Sequence, residues 1–206
     1  VTGGAQGIGA AIARRLAAEG AIVAVLDLDA ARAGAVLNAP HIGVACDVSS
    51  SASVDAAFAQ VAAALGGIDV LVNNAGIGSA PGDGMDKYYG AQAAQATDPS
   101  VPVDQTIHCE DAGWARVLDV TLNGAFRCSR AAVHQMAAQN SGGSIINIGS
   151  TAAVAGNGPI PYCTAKAAIL GMTRAMAVEL APRGIRVNAV NPGATETPIY
   201  APLPQE

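Results

Sequence analysis

Aromatic side chains are almost missing, with two Phe, four Tyr and one Trp in 206 residues. Core bulk must therefore come from aliphatic residues, alanine above all, which favours close approach of helices and strands. Charge is sparse as well, at 13% of residues, and the balance is acidic, with net charge −5. No stretch is rich in Lys or Arg, so a nucleic-acid surface is not expected. No apolar run approaches the ~18 residues of a membrane span. No signal-peptide pattern opens the chain, which points to a cytoplasmic protein. The four cysteines, Cys46, Cys109, Cys128 and Cys163, show no CxxC pairing and no histidine at metal spacing. They read as free thiols in a reducing compartment, with no metal site. His41, His108 and His134 are scattered and read as surface or satisfied side chains.

What is present is apolar residue, 51% of the chain, enough for one globular domain with a large core. "AIVAVL" (21–26), "HIGVAC" (41–46), "IDVLV" (68–72), "SIINIG" (144–149) and "IRVNAV" (185–190) are short apolar runs, as expected of strands buried on both faces. Between them lie segments with helical spacing. The first follows a glycine loop and stops at Gly20, and the second, over "SASVDAAFAQVAAALGG", stops at a Gly pair. A long helix is expected over 110–139, with Trp114, Leu118, Thr121, Ala125 and Cys128 on one stripe. Another is expected over 161–181. Residues 77–111, with Pro81, Pro99 and Pro102 and little periodicity, read as a long inserted loop. The alternation implies an α/β fold: one domain over 1–206, a doubly wound, Rossmann-like parallel sheet with helices on both faces.

The loop "TGGAQGIG" holds Gly3, Gly4, Gly7 and Gly9 just before a helix. Glycine there lets backbone approach a ligand, and the helix start aims free amides at a phosphate. The ATPase phosphate loop is excluded, because Ala10 and Ala11 stand where Lys and Ser/Thr are needed. Asp27 closes the next strand, eighteen residues beyond Gly9. An acid about 20 residues on is where a ribose 2′-hydroxyl is held, and it would repel the extra phosphate of NADP. NAD is therefore the expected cofactor.

"YCTAK" places Tyr162 and Lys166 four apart, on one face of a helix. Together with the glycine loop, Asp27, "NNAG" and "NPG", this pair resembles the short-chain dehydrogenase/reductase family along nearly the whole chain. The resemblance implies that Thr2, Gly3, Gly7, Ile8 and Gly9 form the cofactor loop. It implies that Asp27, with Leu28 beside it, selects NAD, and that Asp47 and Val48 line the adenine. Asn73, Asn74, Ala75 and Gly76 would steady the sheet beside the cofactor. Pro192, Gly193 and Thr197 would contact the nicotinamide half. Ser150, Tyr162 and Lys166 match the catalytic residues, with Tyr162 as general base or acid towards a small secondary alcohol or its ketone. Free tyrosine titrates near ~10, so activating it near neutrality needs about 3–4 kcal/mol of differential stabilisation. A neighbouring ammonium and the positive nicotinamide can provide that. The resemblance also implies a homodimer or homotetramer built through the two long helices.

The pattern departs from the family at three places. Thr121 stands where the family has a catalytic Asn, and it is taken as keeping a proton relay through its hydroxyl. Asn123, two residues beyond Thr121, points away, since residues two apart in a helix are rotated by about 200°. Ser150 and Tyr162 are one residue closer in sequence than usual. The 77–111 segment is longer than usual, and it reads either as shaping the substrate pocket or as a surface insertion. Three functions fit: an NAD-dependent alcohol dehydrogenase, an NADH-dependent ketone reductase, or a non-catalytic NAD-binding protein. In the order 3-2-1-4-5-6 the first strand is central, yet only Val1 and Thr2 precede the loop. The sequence thus reads as clipped at both ends, with "YAPLPQE" opening a substrate-covering segment and with weak folding expected of this chain alone.

Overall fold

A computed structural model describes residues 1–197. The closing "YAPLPQE" lies outside the described residues. In chain order the elements are α1 (Gly7–Ala18), β1 (Ala24–Asp27), α2 (Ala30–Gly34), β2 (Ile42–Ala45), α3 (Ser51–Leu65), β3 (Val70–Asn73) and α4 (Met85–Gln95). After them come α5 (Asp111–Leu118), α6 (Gly124–Gln139), β4 (Gly143–Ile148), α7 (Ala152–Ala155), α8 (Ile160–Leu180) and β5 (Ile185–Val190). Boundaries follow local chemistry. Asp29 caps α2 by accepting from the amides of Ala31 and Arg32. Ser50 caps α3 by accepting from Ser53, and left-handed Gly66 ends it.

All strand pairs are parallel. β1 pairs with β2, Ala24 opposite Ile42, and β4 lies between β3 and β5. The two half-sheets meet at Val1 and Thr2. The Leu26 amide donates to Val1 O at 2.9 Å, and the Thr2 amide donates to Val72 O at 3.0 Å. The spatial order is therefore β2-β1-(Val1–Thr2)-β3-β4-β5, as the doubly wound pattern implies. Beside this junction lies an apolar cavity of about 420 Å³, lined in part by Val23, Ala24, Phe58, Ile68 and Leu71.

Alternation sorts the core. Ala24 and Leu26 join the larger cluster with Val54, Phe58, Cys128, Met136 and Ile145. Val25 faces the other way, onto Ala13 of α1 and Ala33 of α2. Each fully buried Val or Ile here contributes about 1.5–3 kcal/mol relative to exposure. Polar bonds pin the centre. The Asn73 amide group donates to Ser129 and to Asn147, and Asn147 donates to Thr173, each within 2.9 Å.

Two expectations need correction. Residues 77–111 are not a loop throughout, because they contain α4 and a 3₁₀ turn at Thr106–His108. Only Met85 of α4 is buried, so no apolar stripe marks it in the sequence. The expected helix over 110–139 is continuous but holds a π-turn at Asp119–Asn123. That turn adds a residue and shifts the phase upstream. Gly113 and Val117 are buried there, rather than Trp114 and Leu118.

Candidate active site

A cavity of about 340 Å³ opens along the carboxyl ends of the strands. Loops following β1, β2, β3, β4 and β5 all reach it, as does the first part of α8. Parallel strands and their crossovers put every such loop on one edge, so residues far apart in sequence converge there.

One end is made of backbone. Gly3, Gln6, Gly7 and Ile8 line it. Gln6 is the N-cap of α1, yet no side chain caps this helix and no acid stands in its first turn. Its leading amides and positive dipole end are thus open to an anion. Gly9 lies behind the wall, where a Cβ would collide with Gly3 O and with the Asn74 side chain. The Asn74 side chain donates to Thr2 O at 3.1 Å and Gly3 O at 2.9 Å, bracing the loop from beneath. Asp27 joins the same structure. Its two carboxylate oxygens accept from Ala5 and Leu28, both at 2.9 Å. A carboxylate offers about four lone-pair sites, so capacity remains for ribose hydroxyls. Leu28 lines the rim and is largely exposed. Asp47 and Val48 line the far side. The Ser49 hydroxyl and amide both donate to Asp47, holding its carboxyl below the usual range, with Arg116 and Arg127 adding to the effect.

The other end carries reactive side chains. Ser150, Tyr162 and Lys166 line it, with Gly76, Pro192, Gly193 and Thr197 around them. The one-turn helix α7 takes up the chain between Ser150 and Tyr162, and the Ser150 hydroxyl accepts from Ala152 N at 3.1 Å. Lys166 is 4% exposed and donates to Ile148 O at 2.7 Å. Its Nζ sits 5.7 Å from the centre of the Tyr162 ring. Burial lowers its pKa from 10.5 to about 8, leaving it mostly protonated at neutral pH.

The structure does not bring every expected residue to the cavity. Thr2 is buried, and its hydroxyl accepts from Asn74 N and Ala75 N, both at 3.1 Å. It joins the glycine loop to "NNAG" and does not line the cavity. Asn73 belongs to the buried polar chain, while Asn74, Ala75 and Gly76 form the wall. Thr121 is fully buried behind Gly76. It donates to Ile77 O at 3.2 Å and accepts from Ile77 N at 3.1 Å. Its one hydroxyl proton is thus spent on backbone, so a relay through it requires breaking that bond. Asn123 points outward to Asp119, as its helical phase implies. Of residues 77–111, Ile77 alone lines this cavity among the described residues.

Other lining residues carried no readable signal. Arg116 reaches the rim and donates to Ser49 at 3.1 Å. Gln6 accepts from Arg32 at 2.7 Å. Both contacts depend on tertiary placement across tens of residues. Among the described residues no His/Cys/Asp/Glu group could hold a metal ion, and no helix is long and apolar enough to cross a membrane. The uncapped helix start and the unused acceptor capacity of Asp27 fit the diphosphate and ribose of a dinucleotide.

Comparisons with known proteins point the same way. The family model for short chain dehydrogenases matches residues 1–206. The chain is 37% identical to (2S)-[(R)-hydroxy(phenyl)methyl]succinyl-CoA dehydrogenase subunit BbsD of Thauera aromatica, covering 100% of this chain and 76% of that one. It is 39% identical to the NAD(+)-dependent 2-dehydro-3-deoxy-L-rhamnonate dehydrogenase of a Sphingomonas species, covering 100% of this chain and 74% of that one. Its fold matches a crystal structure of 3-ketoacyl-(acyl-carrier-protein) reductase from Brucella melitensis complexed with NADH. There the TM-score is 0.81 and the identity 31%, over 97% of this chain and 76% of that one.

Proposed function

Because the chain belongs to the short-chain dehydrogenase family, we propose that it interconverts a small secondary alcohol and its ketone with NAD, using Tyr162 as the proton carrier. One observation carries this reading. The glycine loop, Asp27, Ser150 and the Tyr162–Lys166 pair come from four separate stretches and meet on one cavity.

Each residue has a distinct task. The open amides of α1 take the diphosphate. Asp27 accepts from the adenosine ribose and repels a 2′-phosphate, which favours NAD over NADP. Bound there, NAD supplies the hydride acceptor and NADH the donor. Ser150 hydrogen-bonds the substrate oxygen and orients it. Tyr162 removes the hydroxyl proton in the alcohol direction and returns it in the ketone direction. The Lys166 ammonium favours the phenolate electrostatically and also holds the nicotinamide ribose. Thr121 acts behind them by fixing Ile77 and the loop against Lys166. Phe126 on α6 and Val178 on α8, both exposed, offer the long helices apolar faces for a second copy of the chain.

The experiment is a panel of secondary alcohols with NAD and with NADP, read by absorbance of the reduced cofactor. Turnover with NAD is expected for at least one alcohol, and Tyr162→Phe is expected to lower it roughly 10³-fold while NAD affinity stays within about threefold. NAD binding with no turnover of any alcohol or ketone would instead favour a non-catalytic NAD-binding protein. A preference for NADP would remove Asp27 from its selective role.

A further inference from the structure

The first turn of α8 holds Tyr162 and has no cap of its own. Its N-cap is Pro159, which makes no side-chain cap bond, and Pro161 has no amide hydrogen. The Ile160 amide is one of the donors that a helix start leaves without an internal partner. It donates instead to Oε1 of Gln105 at 2.8 Å, across 55 residues of sequence. Gln105 is 7% exposed and comes from the 78–110 segment. Its other end is equally committed, with Nε2 donating to Asp83 O at 2.8 Å.

Asp83 is the centre of that segment. It is 2% exposed, and its carboxylate accepts from Ser79 Oγ, Ala80 N and Met85 N. The segment is seated on α5 through the Glu110 amide, which donates to Gly82 O at 2.8 Å. At Gly113 a Cβ would collide with the backbone of Gly82, so the contact is a close one. Gln105 is therefore no free surface side chain. It is a buried strut from a fixed knot to the amide two residues before Tyr162.

We propose that Gln105 is a positioning residue for the reaction: it caps α8 from the 78–110 segment and so sets the placement of the Tyr162 phenol. This rests on the reading of Tyr162 as proton carrier. The segment then serves catalysis although none of its residues lines the cavity. It acts by holding the helix that carries the base.

Gln105→Met keeps the size of the side chain and removes both hydrogen bonds. Gln105→Glu keeps an acceptor for Ile160 N. In the full chain, Gln105→Met is expected to lower kcat about tenfold, with alcohol KM and NAD Kd each within about threefold. Gln105→Glu is expected to recover most of that loss. Hydrogen exchange across 159–163 should become faster in Gln105→Met and be protected in Gln105→Glu. Four results overturn the proposal: kcat of Gln105→Met within twofold of wild type; equal loss in both variants; loss of NAD binding in step with kcat; or unchanged exchange across 159–163. If wild type turns over no alcohol or ketone, the functional reading fails. The exchange measurement then still decides whether Gln105 holds the start of α8.

Discussion

The glycine loop and the 78–110 segment are both built largely from small and polar residues, and they use their backbones in opposite ways. In the glycine loop the amides that begin α1 are left open towards the cavity, and side chains such as Asn74 brace the loop from behind. In the 78–110 segment the local amides are consumed internally, by the Asp83 carboxylate and by Gly82 O. The first arrangement can take an anionic ligand. The second is a knot that stiffens what it touches. Composition alone does not separate them; the destination of the amide hydrogens does.

That contrast can be broken at several points. Gly9→Ala should have the largest effect. The added methyl meets backbone at Gly3 and costs about 1–3 kcal/mol or more, so NAD affinity measured by calorimetry should fall about 100-fold. The 78–110 segment should keep its exchange protection, and its loss would show the two regions to be one unit.

The cavity that the glycine loop lines and the 78–110 segment each bury a charged residue, with different support. Asp83 has three donors, whereas the structure gives Lys166 one carbonyl acceptor. The Lys166 pKa is about 8 in the folded chain against a reference of 10.5. Below pH 8 both states hold the proton, and burying the ammonium costs stability. Between pH 8 and 10.5 only the unfolded chain keeps it, so this cost disappears as pH rises. Relative to wild type, Lys166→Met should therefore lose roughly 2 kcal/mol of its stability advantage between pH 7 and pH 10. Urea unfolding at the two pH values measures this, and a pH-independent difference would contradict the assignment.

The smallest effect is expected at Asp83→Asn. The new amide group opposes the Ala80 N–H or the Met85 N–H, leaving one donor unpaired at about 1–2 kcal/mol. Thermal unfolding should record that loss while NAD affinity is retained. A tenfold weaker affinity would place the knot inside the cofactor site.

These regions also differed in what the sequence revealed. Asp27, the glycine loop and the strand ends were legible, because each depends on a few adjacent residues and on where parallel strands deliver their loops. The pairing of Tyr162 with Lys166 was legible for the same local reason. The helix α4 was hidden, since it buries little beyond Met85. The strut from Gln105 to Ile160 was hidden because neither residue is unusual in its own neighbourhood. Thr2 and Thr121 lie behind the cavity wall, where their hydroxyls bond backbone. A hydroxyl in a sequence does not show whether it faces a ligand or a backbone amide, and here both face backbone. The buried phase of α5 was missed by one residue, because a π-turn leaves no composition signal.

The junction at Val1 and Thr2 has a mechanical consequence. The sheet is two plates riveted by the hydrogen bonds of Val1 and Thr2 over an apolar core that both plates share. The glycine loop lies at that rivet, with Asp27 and Asp47 on one plate and Ser150 and Lys166 beside the other. A ligand stretched along the carboxyl edge spans the seam and becomes a cross-brace, adding its own stiffness to the joint.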